Sequence, residues 1–207
     1  MTAPGSAEPI AAIILAAGES RRMGDTNKLS LDIAGQPLLR HAVNTLLAAR
    51  VSEVLVVLGH EADWAATIIG DLPVRTITNA DYRAGQASSV ALGLSAIGEG
   101  HAGILMCLAD QPALTAEDLN RLIDAFMRSS EQPILVPRYR GQRGNPALLA
   151  GHLRKDILGK SGSPGCRAFM DENPGLVAFW DAPNDHFTRD IDTRDDYHLF
   201  IHGTCPR

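Results

Sequence analysis

The stretch "IAAIILAAGESRRMGDTNK" (residues 10–28) decides how this sequence is interpreted. It opens with an unbroken apolar run, which has the length and composition of a fully buried strand. Two glycines, two adjacent arginines and a lysine follow, with Met23 as the only large apolar side chain before Leu29. A buried strand that ends in a cationic, glycine-containing turn indicates a loop that holds a polyphosphate.

Glycine and positive charge alone leave a second interpretation open, namely a flexible surface loop whose arginines are solvated. The loop also has the spacing of neither common phosphate-binding motif. A Walker loop needs Gly-Lys-Ser/Thr after its first glycine, and a dinucleotide fingerprint needs three closely spaced glycines. Neither pattern is present in residues 15–28.

The rest of the chain predicts an α/β fold. Apolar runs of strand length alternate with segments of helical periodicity, which is typical of a parallel, doubly wound sheet with helices on both faces. Thr115 and Asp118 form a capping-box pattern that starts one of the helices. The predicted strands are 10–17, 53–59, 73–78, 102–109 and 133–137, and the other predicted helices are 37–50, with Pro37 as first helical residue, 61–69 and 88–97.

The C-terminal third is harder to interpret because glycine and proline interrupt it. We expect residues 138–180 to form the rim of the same domain. A short strand ending at 190–192 and a helix capped by Thr193 with Asp196 should follow. Residues 1–9 are predicted to be a disordered lead-in, and residues 10–203 a single domain.

Composition and charge exclude several classes of protein. The net charge of -5, with both signs spread along the chain, argues against a nucleic acid partner. No stretch approaches the ~18 consecutive apolar residues of a membrane span, so we expect no membrane association. The three widely separated cysteines, Cys107, Cys166 and Cys205, lack the spacing of a zinc site or a disulfide framework and indicate reduced thiols in a cytoplasmic protein.

Two aspartates follow predicted strands at the sheet edge where open α/β proteins bind ligands. Asp110 comes directly after the strand 102–109, and Asp192 after the later one. Magnesium prefers one or two carboxylates together with phosphate oxygens, so the pair is a candidate Mg²⁺ site. The alternatives are that Asp110 caps a turn before Pro112 and that Asp192 or Thr193 only caps the last helix.

Several motifs, taken together, resemble a known family. With Lys28, they are "LAAGESRRMG", "GQASSVALG" (85–93), "CLADQP" (107–112), "RGNPALL" (143–149), "GSPGCR" (162–167) and "DIDTRDD" (190–196). The first resembles the signature loop of the MobA-like, GT-A-like nucleotidyltransferases. The full series, from about residue 11 to 197, is similar to the molybdenum cofactor cytidylyltransferase branch. The resemblance implies a three-layer, Rossmann-like (GT-A-type) fold with a mostly parallel twisted sheet.

The resemblance also implies roles for individual residues. Arg22, Lys28 and Asp110 would be catalytic, and Asp110 and Asp192 would hold Mg²⁺. Ser88 and Ser89 would face the base, although Ser88 could instead cap the following helix. Ser163 stands where family members often carry an aspartate, which puts the acceptor in doubt. The implied nucleotide-binding residues are Leu15, Ala16, Ala17, Gly18, Arg22, Lys28, Gly85, Ser88 and Ser89, and the implied acceptor-binding residues are Arg143, Gly144, Asn145, Pro146, Gly165 and Arg167.

The expected reaction is Mg²⁺-dependent transfer of CMP from CTP to the terminal phosphate of molybdenum-molybdopterin, with release of pyrophosphate and a molybdoenzyme as a further partner. The attacking phosphate is already an anion, so the reaction needs no general base, and we expect no histidine in the pocket. Two alternatives stay open. One is a guanylyl or adenylyl transferase, or one that uses a sugar or alditol phosphate; the other is a non-catalytic protein that escorts the cofactor.

Overall fold

A computed structural model describes residues 9–24, 26–129, 131–159 and 165–203. The predicted lead-in therefore lies outside the described residues except for Pro9. Within the described ranges, no helix has the length and apolar character needed to cross a membrane. The strands are β1 (Ile10–Ala16), β2 (Asp32–Ile33), β3 (Gln36–Pro37), β4 (Glu53–Leu58), β5 (Arg75–Thr78), β6 (Gly103–Leu108), β7 (Ile134–Tyr139), β8 (Gln142–Arg143), β9 (Ala147–Ala150) and β10 (Val177–Asp181). The helices are α1 (Leu38–Leu47), α2 (Ala62–Ile69), α3 (Gln86–Ala96), α4 (Ala116–Arg128), α5 (Leu153–Gly159), α6 (Gly165–Glu172) and α7 (Arg194–His202).

The central sheet is mostly parallel, as predicted. Its order is β10-β7-β9-β6-β1-β4-β5, with β8 paired to β7. Strand β1 lies between β4 and β6 and is parallel to both. The five strands predicted between residues 10 and 137 are all present, and each boundary lies within two residues of its predicted position.

Helices cover both faces of the sheet, which confirms the three-layer arrangement. Every residue of β1 is buried, and successive side chains point to opposite faces. Ile14 and its neighbours on that face pack against α1, α2 and α4. Ile13 and Leu15 pack on the other face against α3, α5 and α6. Burial on both faces explains why β1 is a continuous apolar run and does not alternate.

The prediction that residues 138–180 form only a rim is wrong. Strand β9 lies inside the sheet, antiparallel to both β6 and β7, and all four of its residues are buried. Strand β10 extends the sheet beyond β7 and is parallel to it. The four apolar residues of β9 are too short a run to be distinguished from a loop by periodicity, and their pairing partners are distant in sequence.

Local predictions are corrected in four places. Helix α1 ends at Leu47, three residues before its predicted end. Pro37 is the residue before α1 and belongs to the β2–β3 hairpin, so it is not the first helical residue. Helix α3 begins at Gln86, two residues earlier than predicted. The short strand predicted at 190–192 does not form; the backbone N–H of Ile191 donates to the carbonyl of Asp110 at 2.9 Å. The capping boxes of Thr115 and Thr193 are both present.

Candidate active site

A cavity of about 820 Å³ opens at the carboxyl ends of β1 and β6. Its size is within the ~300–1,000 Å³ that is typical of small-molecule sites. Its walls come from the end of β1, residues 18–19, 21–22 and 28–29 of the loop after β1, the start of α3, the turn 143–145, the start of α6, and Asp190 with Asp192. The cavity therefore lies at the edge of the sheet where the sequence predicted the chemistry.

The loop after β1 is held in place by contacts of its own. Met23 and Leu29 are buried and anchor two short 3₁₀ turns, Arg21–Met23 and Lys28–Ser30. The backbone N–H of Lys28 donates to Ser20 Oγ at 3.0 Å. Asn27 caps the second turn by accepting from the N–H of Leu29 at 3.0 Å. These contacts fix the path of the backbone that carries Arg22 and Lys28.

Lys28 joins the two aspartates that the sequence singled out. Its Nζ donates to Asp110 Oδ2 and to Asp192 Oδ1 at 3.1 Å. The three side chains are only 14 to 23% exposed. Arg22 adds a second cation, at 2.8 Å from Asp192 Oδ2. Burial alone would lower the pKa of Lys28, but the adjacent carboxylates of Asp110 and Asp192 outweigh it and raise that pKa.

The contacts around α7 show that Thr193, and not Asp192, caps this helix. Thr193 caps this helix through its side chain, which accepts from the N–H of Asp196. The backbone N–H of Asp192 donates to Asp196 Oδ2 at 3.1 Å. The carboxylate of Asp192 is thereby left to contact Arg22 and Lys28.

The two carboxylates fit a divalent cation. Asp110 Oδ1 is buried and has no hydrogen-bond partner within the described residues, so one oxygen is available for a further ligand. No group of three or more His, Cys, Asp or Glu side chains arranged to hold a metal occurs in the same described ranges. A carboxylate pair is nevertheless the donor set that Mg²⁺ uses when phosphate oxygens complete its coordination.

Asp190 is a cavity residue that sequence reasoning missed. It lines the cavity beside Asp110 and Asp192. Burial, followed by the negative charge of those two carboxylates, raises the pKa of Asp190. The signal was present in the alternation of Asp190 and Asp192 around Ile191, because residues two apart in an extended segment share a face.

The predicted base-binding serines have different surroundings. Ser89 lines the cavity and is 3% exposed. Ser88 is not among the residues that line it; its hydroxyl donates to the carbonyl of Gly85 at 2.8 Å. Ser88 does not cap the helix either, because Gly85 precedes α3 and no side chain caps that end.

Most of the predicted acceptor residues line the cavity as well. Arg143, Gly144 and Asn145 lie on one turn that lines the cavity. The carbonyl of Phe187 accepts from the N–H of Asn145 at 2.8 Å and from Gln111 Nε2 at 3.0 Å. This carbonyl ties the turn to the residue after Asp110.

Most of the predicted site residues are brought together, and two are not part of the lining. Pro146 is buried beside the turn, Ser88 faces the loop before α3, and Ser163 lies outside the described residues. No histidine occurs among the described residues that line the cavity. Predicted residues that line it are Leu15, Ala16, Ala17, Gly18, Arg22, Lys28, Gly85, Ser89, Asp110, Arg143, Gly144, Asn145, Gly165, Arg167 and Asp192. Lining residues that the sequence did not single out include Glu19, Tyr82, Arg83, Gln86, Cys166 and Asp190.

The chain is similar to several known proteins over most of its length. It is 30% identical over 195 residues to nicotine blue oxidoreductase of Paenarthrobacter nicotinovorans, covering 89% of this chain and 92% of that protein. It is 30% identical over 196 residues to the purine catabolism protein PucB of Bacillus subtilis, covering 90% of this chain and 93% of PucB.

Solved structures share the fold. Rv0371c of Mycobacterium tuberculosis superposes with a TM-score of 0.82 at 24% identity, covering 95% of this chain and 99% of that one. In its complex with manganese, the same protein gives a TM-score of 0.75 at 21% identity, covering 95% and 100%. A nucleotidyl transferase from Methanothermobacter thermautotroptrophicus gives 0.79 at 23% identity, covering 93% and 95%.

A family model matches most of the chain and shows the family to which it belongs. Residues 12–176 match the MobA-like NTP transferase domain, a range that contains the loop after β1, Asp110 and the turn 143–145. The chain therefore belongs to the MobA-like NTP transferase family and is an enzyme of the nucleotidyltransferase type.

Proposed function

We propose that this enzyme transfers CMP from CTP to the terminal phosphate of a molybdopterin-type cofactor, with Mg²⁺ as the metal and pyrophosphate as the leaving group. The observation that carries the proposal is the meeting of Arg22, Lys28, Asp110 and Asp192 at one end of the cavity. Two cations and two carboxylates at one point provide what a metal-bound triphosphate needs, namely counter-charges and ligands for the metal.

In the proposed reaction, an oxygen of the acceptor phosphate attacks the α-phosphorus of CTP. The new P–O bond forms as the bond to the β-phosphate oxygen breaks, and pyrophosphate leaves with the electron pair. The acceptor phosphate is an anion near neutral pH and needs no general base, which agrees with the lack of histidine among the described lining residues. Catalysis then depends on orientation and on neutralisation of charge.

Each part of the cavity has a task in this proposal. Lys28 exchanges its carboxylate partners for oxygens of the α-phosphate, and Arg22 holds the outer phosphates. Asp110 and Asp192 would hold Mg²⁺, which when bound acts as a Lewis acid that neutralises charge on the phosphates. Small residues at the end of β1, Ala16 to Gly18, let the nucleotide approach the backbone closely. The turn 143–145 with Gly165 and Arg167 receives the acceptor.

The names of the two relatives point to no common acceptor. PucB is by its name a purine catabolism protein, and another relative is by its name an oxidoreductase. Proteins of one fold often act on different substrates, so the test compares several acceptors. The alternative acceptors are a sugar phosphate and an alditol phosphate. The alternative transferred groups are guanylyl and adenylyl.

The test is a matrix of the four ribonucleoside triphosphates against molybdenum cofactor and a panel of simple phosphates, with pyrophosphate release as the readout. We expect release only with CTP and the molybdopterin compound, and only with Mg²⁺ or Mn²⁺ present. Turnover with a sugar phosphate, or with another triphosphate in place of CTP, would replace the proposed substrates.

Asp110→Asn tests whether Asp110 takes part in catalysis as a ligand of the metal. Removing a ligand charge next to the reacting phosphates should lower turnover by about 100-fold or more. Asp63→Asn is the matched control, because Asp63 is an exposed residue in the first turn of α2, outside the cavity. If Asp110→Asn still releases pyrophosphate at the wild-type rate, Asp110 has no catalytic role.

A further inference from the structure

A buried asparagine lies behind the predicted base-binding serine. Asn79 follows β5 directly and is 5% exposed. Its Nδ2 lies 2.9 Å from Ser89 Oγ and 2.8 Å from Ser88 Oγ. Asn79 does not line the cavity but contacts Ser89, which does. It can therefore affect a bound nucleotide only through Ser89.

The orientation of the Asn79 amide is determined by the backbone. The N–H of Asp81 points at Asn79 Oδ1 at 2.9 Å. A backbone N–H can only donate, so the side-chain atom that faces it has to be the oxygen. The NH₂ group is then directed at the two serines as a donor. The N–H of Asn79 itself donates to the carbonyl of Leu58 at 2.8 Å, which keeps the residue in place.

The two serines consequently differ in what they can offer a ligand. The Ser88 proton lies within reach of two carbonyl oxygens, those of Gly85 at 2.8 Å and Asp81 at 3.1 Å. Ser89 Oγ accepts from Asn79, and no group in the described part of the chain accepts the Ser89 proton. A buried hydroxyl proton without an acceptor is unfavourable, so a ligand that accepts it is preferred.

We infer that Asn79 is a positioning residue for base selection, because it directs the Ser89 hydroxyl to act as a donor toward the base. The inference rests on the proposed nucleotide site. Ring nitrogen N3 of cytosine and N1 of adenine accept a hydrogen bond, whereas N3 of uracil and N1 of guanine carry a proton and donate. With the Ser89 hydroxyl directed at this ring position, as we infer, its donor role favours the first pair and leaves its own proton unpaired against the second.

Asn79→Asp tests this because it reverses the polarity. A carboxylate at position 79 accepts the Ser89 proton, which leaves only lone pairs of Ser89 Oγ for the base. Calorimetry in the presence of Mg²⁺ gives the dissociation constants of UTP and CTP. We expect their ratio, UTP over CTP, to fall by about tenfold or more, because a buried hydroxyl left without a hydrogen-bond partner costs at least that much in affinity. A purely structural defect would weaken both nucleotides alike and leave the ratio unchanged.

Ser89→Ala is the second variant and does not depend on whether Asn79→Asp folds. It should reduce the discrimination between CTP and UTP without reversing it. In the double variant that carries both Ser89→Ala and Asn79→Asp, the ratio of the two dissociation constants should equal that of Ser89→Ala alone. Asn120→Asp is the matched control; its side-chain oxygen accepts from the N–H of Arg50 at 2.8 Å, on α4 and away from the cavity.

The outcomes separate this inference from the function on which it rests. If the wild type binds none of the four triphosphates, the proposed function fails and the inference fails with it. If the wild type discriminates between CTP and UTP but Asn79→Asp and Ser89→Ala both keep its ratio, the function stands and the role of Asn79 is refuted.

Discussion

Lys28→Met should strengthen the binding of a free divalent cation while weakening the binding of a nucleotide. In the structure, Lys28 Nζ contacts Asp110 and lies 3.1 Å from Asp192 Oδ1, between the proposed metal ligands. Together with Arg22, it balances the two carboxylates, so this group of four side chains has no net charge with which to attract a free cation. A cation that enters alone has to displace the ammonium group.

The size of the effect follows from the contact that is broken. A hydrogen bond between charged groups contributes about 1.5–3 kcal/mol, and the Lys28–Asp192 pair is partly shielded from water, with exposed fractions of 16% and 23%. Each 1.4 kcal/mol is about a tenfold change in affinity. We therefore expect Mn²⁺ alone to bind Lys28→Met about 10- to 100-fold more tightly than it binds the wild type.

The assay is titration with Mn²⁺ followed by electron paramagnetic resonance, which reports the free ion and needs no turnover. Lys155→Met is the matched control, because Lys155 is an exposed residue of α5 that pairs with Glu99 at 2.9 Å. In the presence of CTP the order should reverse, since the variant lacks a cation for the α-phosphate. Unchanged or weaker Mn²⁺ binding by a folded Lys28→Met would refute competition between Lys28 and the cation for these carboxylates.

Three further predictions concern stability, the acceptor turn and the thiols. Gly144→Ala should destabilise the protein by about 1–3 kcal/mol and raise KM for the acceptor more than for CTP, because a Cβ at this position would lie 2.5 Å from the Phe187 carbonyl oxygen. Denaturant unfolding and the KM values for both substrates check this. Equal stability of variant and wild type would show that the turn can move to make room for the methyl group. Burial would raise the pKa of Asp118, but hydrogen bonds from Asn184, His186 and Thr115 outweigh it and lower that pKa. Because folding lowers this pKa, the ionised side chain stabilises the fold at pH values above the unfolded-state pKa of ~3.9, and the effect is lost as the pH falls through the folded-state pKa. The free energy of unfolding of the wild type should exceed that of Asp118→Asn by about 2 kcal/mol at pH 7. Urea unfolding should show this difference shrinking below pH 4, and a constant difference would contradict the reasoning. Burial raises the pKa of Cys166 to about 12 and raises that of Cys107 as well, so iodoacetamide at pH 8 should leave both unmodified in the folded protein and label both in urea, as peptide mapping by mass spectrometry would show; rapid native labelling of either would indicate local opening.

Local chemistry explains which parts of the fold were predictable from the sequence. The buried run of β1, the apolar stripe of α4 and the capping boxes of Thr115 and Thr193 depend on residues within a few positions of one another, and all are present. Asp110 was found because it follows a buried apolar strand at the ligand-binding edge of the sheet, whereas Asp192 was selected from a predicted short strand that does not form. Their assignment to one site followed from the rule that ligands bind outside the carboxyl ends of the strands in open α/β sheets, since nothing local connects the two residues.

Only the tertiary structure decided which distant residues meet. Lys28 reaches Asp110 and Asp192 across 82 and 164 positions, and the insertion of β9 between β6 and β7 depends on pairing with strands on both sides. The donor role of Asn79 depends in the same way on an amide orientation set by a backbone N–H. Hydrophobic period and capping act over one or two turns of chain, whereas the order of strands in a sheet and the contacts between loops follow from how the whole core packs.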